Sequence, residues 1–121
     1  MNYKIKYIER NGEKIDLIFE FNDQKENQIL PIFLYSEVVN FYNDIKCQLE
    51  SVLRGEKKHN ECSGNSCYWN IGPQETLIVD NFANEGDPSE ITVDTQELRR
   101  LIDEWIAARD KFREQKTKGE I

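Results

Sequence analysis

The sequence predicts an α+β fold, a mostly antiparallel four- or five-stranded sheet packed with two α-helices. Three observations predict it. Short segments alternate apolar and polar residues with a period near two, and two longer segments repeat their apolar residues at helical spacing. The length of 121 residues suits one compact domain over 1–121. A chain of this size buries about two-thirds of its unfolded surface and needs no disulfide or metal to fold.

Tyr3, Ile5 and Tyr7 alternate with Lys4 and Lys6, and Ile15, Leu17, Phe19 and Phe21 alternate with Asp16, Ile18 and Glu20. Both segments read as strands. Between them Asn11-Gly12 supplies the positive backbone angles of a tight hairpin turn, so the two strands are expected to pair antiparallel. After a polar connection over 22–28, apolar residues recur at Val38, Phe41, Tyr42, Ile45, Leu49, Val52 and Leu53. That spacing predicts a helix over about 36–54, capped by Ser36, stopped by Gly55 and laid against the hairpin.

Residues 56–66 are polar and read as a loop. Strand composition resumes over 67–71 and 76–82, and a short segment over 90–93 adds a further strand. Asp94 followed by Glu97 has the spacing of an amino-terminal helix cap, with Thr95 the alternative if the boundary slips by one. The helix that follows is amphipathic through Leu98, Leu101, Ile102, Trp105, Ile106 and Phe112, with acids at its start and Arg109, Lys111, Arg113 and Lys116 towards its end. Trp105 is assigned to the core, and fraying is expected after residue 115.

Composition excludes several classes of function. The 16 Lys and Arg stand against 23 Asp and Glu, a formal net charge of −7, so no broad positive surface for nucleic acid is expected. No apolar run approaches the roughly 20 residues of a membrane span, and the amino terminus lacks the apolar segment of a secretory signal. Three cysteines are an odd number and point to a reducing compartment, the cytoplasm.

Motifs that carry chemistry are sparse. His59-x-x-Cys62-x-x-x-x-Cys67, with Cys47 as a fourth ligand, is the best metal grouping, but it lacks the close ligand pairs of structural zinc sites. The competing assignment makes Cys47 a small buried or half-buried helix residue, packs Cys67 in a strand, and leaves His59 and Cys62 in a loop. Reversible pairing of Cys62 with Cys67 stays open. There is no phosphate-binding glycine loop, no His-Glu-x-x-His and no serine nucleophile elbow. The expectation is therefore no cofactor, no metal and no enzymatic activity. The enzyme alternative is a hydrolase or redox protein using His59 with Cys62 or Cys67.

The sharper signal is charge. Residues 84–104 hold seven acids against Arg99 and Arg100, a local net of −5 that leaves only −2 for the rest of the chain. A negative patch of this kind steers and holds a basic partner. Tyr68 and Trp69 are adjacent, so in a strand they face opposite ways and one of them is available as an aromatic contact. The candidate partner-binding residues are Tyr68, Trp69, Glu85, Asp87, Glu90, Asp94 and Glu97.

Taken with the segment Gly64-Asn65-Ser66-Cys67-Tyr68-Trp69-Asn70-Ile71, the strand Thr76-Leu77-Ile78-Val79-Asp80-Asn81 and the helix Glu97-Leu98-x-x-Leu101-Ile102-x-x-Trp105, the chain resembles bacterial toxin-immunity proteins. The resemblance is greatest to those of contact-dependent growth-inhibition systems. It covers most of the organisation and maps no catalytic signature. It implies a cytoplasmic protein that binds and blocks the toxic carboxy-terminal domain of a polymorphic toxin, often a basic nuclease, without touching nucleic acid or membrane itself. The alternative partner reading is a small adaptor or regulatory domain.

Overall fold

The computed structural model describes residues 2–22 and 28–121, so the polar connection expected over 22–28 lies almost wholly outside the described residues. Strand β1 (Lys4–Arg10) pairs antiparallel with β2 (Glu13–Glu20), placing Ile5 opposite Phe19 and Tyr7 opposite Leu17. The turn between them puts Asn11 at φ 53° and Gly12 at φ 77°, the two successive positive angles that Asn-Gly tolerates best. Leu17 and Phe19 are buried, whereas β1 is exposed along its length.

The helical arm starts earlier than residue 36. Helix α1 (Ile29–Phe33), a wider π-type turn (Leu34–Val38) and α2 (Val39–Leu53) follow one another without a break. Pro31 lies in the first turn, where its missing N–H costs no hydrogen bond, and Ile29, Leu30, Phe33 and Leu34 are driven inward. Ser36 is consequently not a cap. It sits inside the arm, and its hydroxyl donates to the Ile32 carbonyl at 2.7 Å. Phe41 leaves helical geometry at φ −129° and ψ 29°, and Gly55, at φ 78°, ends the arm.

Four strands then form an antiparallel meander, β3 (Asn60–Ser63), β4 (Cys67–Ile71), β5 (Glu75–Asp80) and β6 (Glu90–Asp94), in that spatial order. The expected single sheet of four or five strands is therefore two antiparallel sheets, the hairpin and this meander. The additional strand is β3, inside the stretch read as a loop. As an edge strand it needs a partner on one side only, and of its residues Asn-Glu-Cys-Ser only alternate ones face inward, so polar composition disguised it.

Helix α3 (Thr95–Thr117) begins where the sequence predicts. Asp94 is extended, and its Oδ1 accepts the Glu97 amide at 2.9 Å. Thr95, the alternative cap, is buried instead: its hydroxyl donates to the Gly72 carbonyl at 2.7 Å and lies 2.9 Å from the Thr76 hydroxyl.

Helix α2 packs on α3, β3 and β4, whereas the hairpin, expected against α2, is met chiefly by α3 and α1. Both α1 and α3 touch the hairpin and the meander, and so join them in one core. Trp105 lies edge-on to Phe19 at 5.0 Å between ring centroids, and Trp69 edge-on to Phe33 at 5.4 Å, geometries that favour aromatic pairs beyond simple burial. Among the described residues no helix is long and apolar enough to cross a membrane.

Candidate partner-binding surface

Period-two alternation gives the meander two unlike faces. Cys67, Trp69 and Ile71 of β4, Thr76 and Ile78 of β5, and Ile91 and Val93 of β6 point inward and are buried beneath the helices. The intervening residues point the other way. In register across the four strands, Ser63, Tyr68, Val79 and Glu90 form one row and Glu61, Asn70, Leu77 and Thr92 the next, followed by the Glu75 and Asp94 pair. All of these side chains are half-buried or exposed. The result is an open sheet face with Tyr68, Leu77 and Val79 in its middle and carboxylates around them.

Residues 59–98 contain eight acids and no Lys or Arg. The other 15 acids of the chain stand against all 16 bases, so the whole negative charge of the protein resides in this segment. Within it Glu75, Glu85, Asp87 and Glu90 make no ion pair with a described residue. Tyr68 donates its hydroxyl to Glu61, and that bond to a carboxylate pushes the phenol pKa upward.

The structure divides the candidate residues. Tyr68, Glu90 and Asp94 share the open face, Glu97 stands in the first turn of α3 beside it, and Glu85 and Asp87 lie exposed on the connection over 81–89. Trp69 is on the other side. It is 2% exposed, and its indole N–H donates to Gln48 Oε1 at 2.8 Å, so of the two adjacent aromatics Tyr68 is the one available for contact. Two further acids counted in the 84–104 patch are exposed but have partners on the helical and hairpin side: Asp103 pairs with Arg99 at 2.8 Å and accepts the Tyr42 hydroxyl, and Glu104 accepts that of Tyr3 at 2.7 Å.

A buried carboxylate positions the face from beneath. Glu37, in the π-type turn, accepts the Asn65 amide at 2.8 Å and the Cys67 amide at 3.1 Å, pinning the β3–β4 turn one residue ahead of Tyr68. Gly64 completes this contact, because a Cβ there would lie 2.1 Å from Glu37 Oε2. Sequence reasoning missed Glu37, although an acid inside the run Leu34-Tyr35-Ser36-Glu37-Val38 was a visible anomaly.

Of the residues named for the alternative chemistries, Cys47 and Cys62 line one cavity of about 380 Å³ with Phe41, Gln48 and Trp69. His59 is exposed ahead of β3, Cys47 is exposed rather than packed in the helix, and Cys62 is half-buried on β3 rather than in a loop. Cys67 is buried, and burial, reinforced by Glu37 and Asp80, pushes its thiol up to about 12. All three thiols are free, and among the described residues no three His, Cys, Asp or Glu side chains are grouped to hold a metal ion.

A Bacillus cereus protein named "Immunity protein" is 31% identical to this chain over 94 residues, which span 78% of this chain and 80% of that relative. The chain belongs to the immunity proteins. No protein-family model matches it, and no solved structure does. In this immunity protein, the fold leaves one acidic, aromatic-centred sheet face open while the opposite face of the same strands is closed by helices.

Proposed function

We propose that this immunity protein binds and neutralises a cognate bacterial toxin domain in the cytoplasm, in the manner of contact-dependent growth-inhibition immunity, and that the toxin is a nuclease. The carrying observation is the open face of the meander, where Tyr68 stands among Glu61, Glu75, Glu90 and Asp94 in a 40-residue segment without a single Lys or Arg. A nuclease presents a positive groove to nucleic acid, and a negative face accelerates encounter with such a groove. Tyr68 supplies the amphipathic contact area typical of interface hot spots. Neutralisation then follows from occupancy of the groove, with no turnover and no cofactor.

The experiment is reconstitution with the toxin carboxy-terminal domain encoded immediately upstream. A stoichiometric complex is expected, with nucleic-acid cleavage by the domain suppressed as this protein is titrated in. Absence of a complex at micromolar concentrations of both chains would refute the reading. A complex with a toxin that cleaves no nucleic acid would refute the nuclease assignment alone.

A further inference from the structure

Phe82 is the most exposed large apolar residue among those described, at 74%, and it is held there rather than dangling. Its amide donates to Asp80 Oδ1 at 3.0 Å, and the flanking backbone is tied by Asn81 N to Ser66 O at 3.0 Å and Asp80 N to Ser89 O at 2.7 Å. It lines a cleft of about 300 Å³ together with apolar Ile29, Ile32 and Pro88, the carboxylates Asp80 and Asp87, and the amides Gln28 and Asn84. Ile32 is itself exposed, so the apolar patch extends from the meander's end onto α1.

An aromatic ring beside a half-apolar cleft with two carboxylates fits one kind of occupant, a long basic side chain. The methylene stem of an arginine or lysine packs on Ile32 and Pro88, the charged end reaches Asp80 and Asp87, and the Phe82 ring closes over it. An arginine fits best, because its planar guanidinium both stacks on an aromatic ring and forks onto carboxylates.

We infer that Phe82 and this cleft are a second anchoring point for the toxin domain, receiving an arginine from its basic surface while the open sheet face covers the groove. This rests on the toxin-binding reading and adds a residue outside the acidic face. Charge complementarity favours a basic partner such as the toxin, and in a symmetric contact between two copies of this chain the segment 59–98 has no base to set against its own acids.

The test measures binding of the upstream-encoded toxin domain, catalytically inactivated, to the full chain and to Phe82→Ala, Phe82→Leu and Asp87→Asn, with thermal melting as the folding control. Phe82→Ala is expected to weaken binding at least tenfold through faster dissociation, Phe82→Leu to lose less, and Asp87→Asn to lose several-fold, all with unchanged melting. Affinity of Phe82→Ala within twofold of the parent overturns the inference. If Tyr68→Ala still weakens binding in that case, the toxin-binding reading survives on the open face. No binding by the parent chain overturns both. Sedimentation showing a parent dimer that Phe82→Ala dissociates would assign the patch to self-association and also overturn the inference.

Discussion

The two faces of the meander are built from alternate residues of the same strands and have opposite fates. Trp69, Ile71, Ile78 and Ile91 are sealed under α1, α2 and α3, while Tyr68, Leu77, Val79 and Glu90 remain accessible. Ion pairing of the carboxylates leans the same way. On the helical and hairpin side several are matched, although Glu9, Asp44, Glu104 and Asp110 make no ion pair with a described residue: Asp16 meets Arg109 at 3.1 Å, Glu13 meets Lys116 at 2.7 Å, and Arg99 bridges Glu50 and Asp103 at 2.7 and 2.8 Å. On the open face and its adjoining connection, Glu75, Glu85, Asp87 and Glu90 are left unmatched among the described residues. The proposed toxin binding would account for this uncompensated charge, since unmatched like charges contribute nothing to stability and cost some through repulsion.

The largest test of this division exchanges neighbours. Trp69→Ala removes a buried indole and should destabilise the protein by about 3–5 kcal/mol in urea unfolding. Tyr68→Ala, one residue away, should cost under about 1 kcal/mol, because Tyr68 is half-exposed and its hydroxyl donates to the carboxylate of exposed Glu61. Equal losses would erase the distinction between the faces.

A smaller effect lies where the closed side holds the open one. Gly64→Ala should lower stability by about 1–3 kcal/mol, because the added methyl displaces the Glu37 carboxylate from the Asn65 and Cys67 amides and leaves buried polar groups unpaired. Hydrogen exchange should quicken first at those two amides. Unchanged exchange there would remove Glu37 from its anchoring role.

The smallest concerns the matched carboxylates. Burial disfavours the charge on Asp16, but bonds from the Tyr35 hydroxyl and the Leu17 amide, and the Arg109 guanidinium, outweigh it and hold the carboxyl below its usual value of 3.8. A carboxyl lowered by folding stabilises the native state above its unfolded pKa, and that stabilisation disappears as pH falls through the folded one. Asp16→Asn should therefore cost about 1–2 kcal/mol at pH 7 and progressively less below about pH 4. A loss independent of pH would mean that Asp16 acts by packing rather than charge.

Much of this was legible in the sequence. The hairpin, the turn at Asn11-Gly12, the Asp94 cap and the amphipathic stripe of α3 follow from local chemistry, where pattern and propensity agree. Less legible was whatever depends on contacts distant in sequence. Nothing local distinguishes β3 from a loop, because its strand character comes from pairing with β4. The acidic bias was visible, but its boundary was not. Asp103 and Glu104 looked like the patch until Arg99, Tyr42 and Tyr3 took them up, and Glu61 and Glu75 joined it only through the strand register.

The central claim is that the acids on and beside the open face bring the toxin domain in. The most direct measurement is its association rate constant with the parent and with the combined variant Asp87→Asn, Glu90→Gln, Asp94→Asn and Glu97→Gln, each at low and high salt. Asn at 94 retains an oxygen to cap α3, so folding is kept. The parent should associate at least tenfold faster at low salt than at high salt, and the variant should be slower and nearly indifferent to salt. Equal rates and equal salt dependence for the two proteins, with folding intact, would contradict the account.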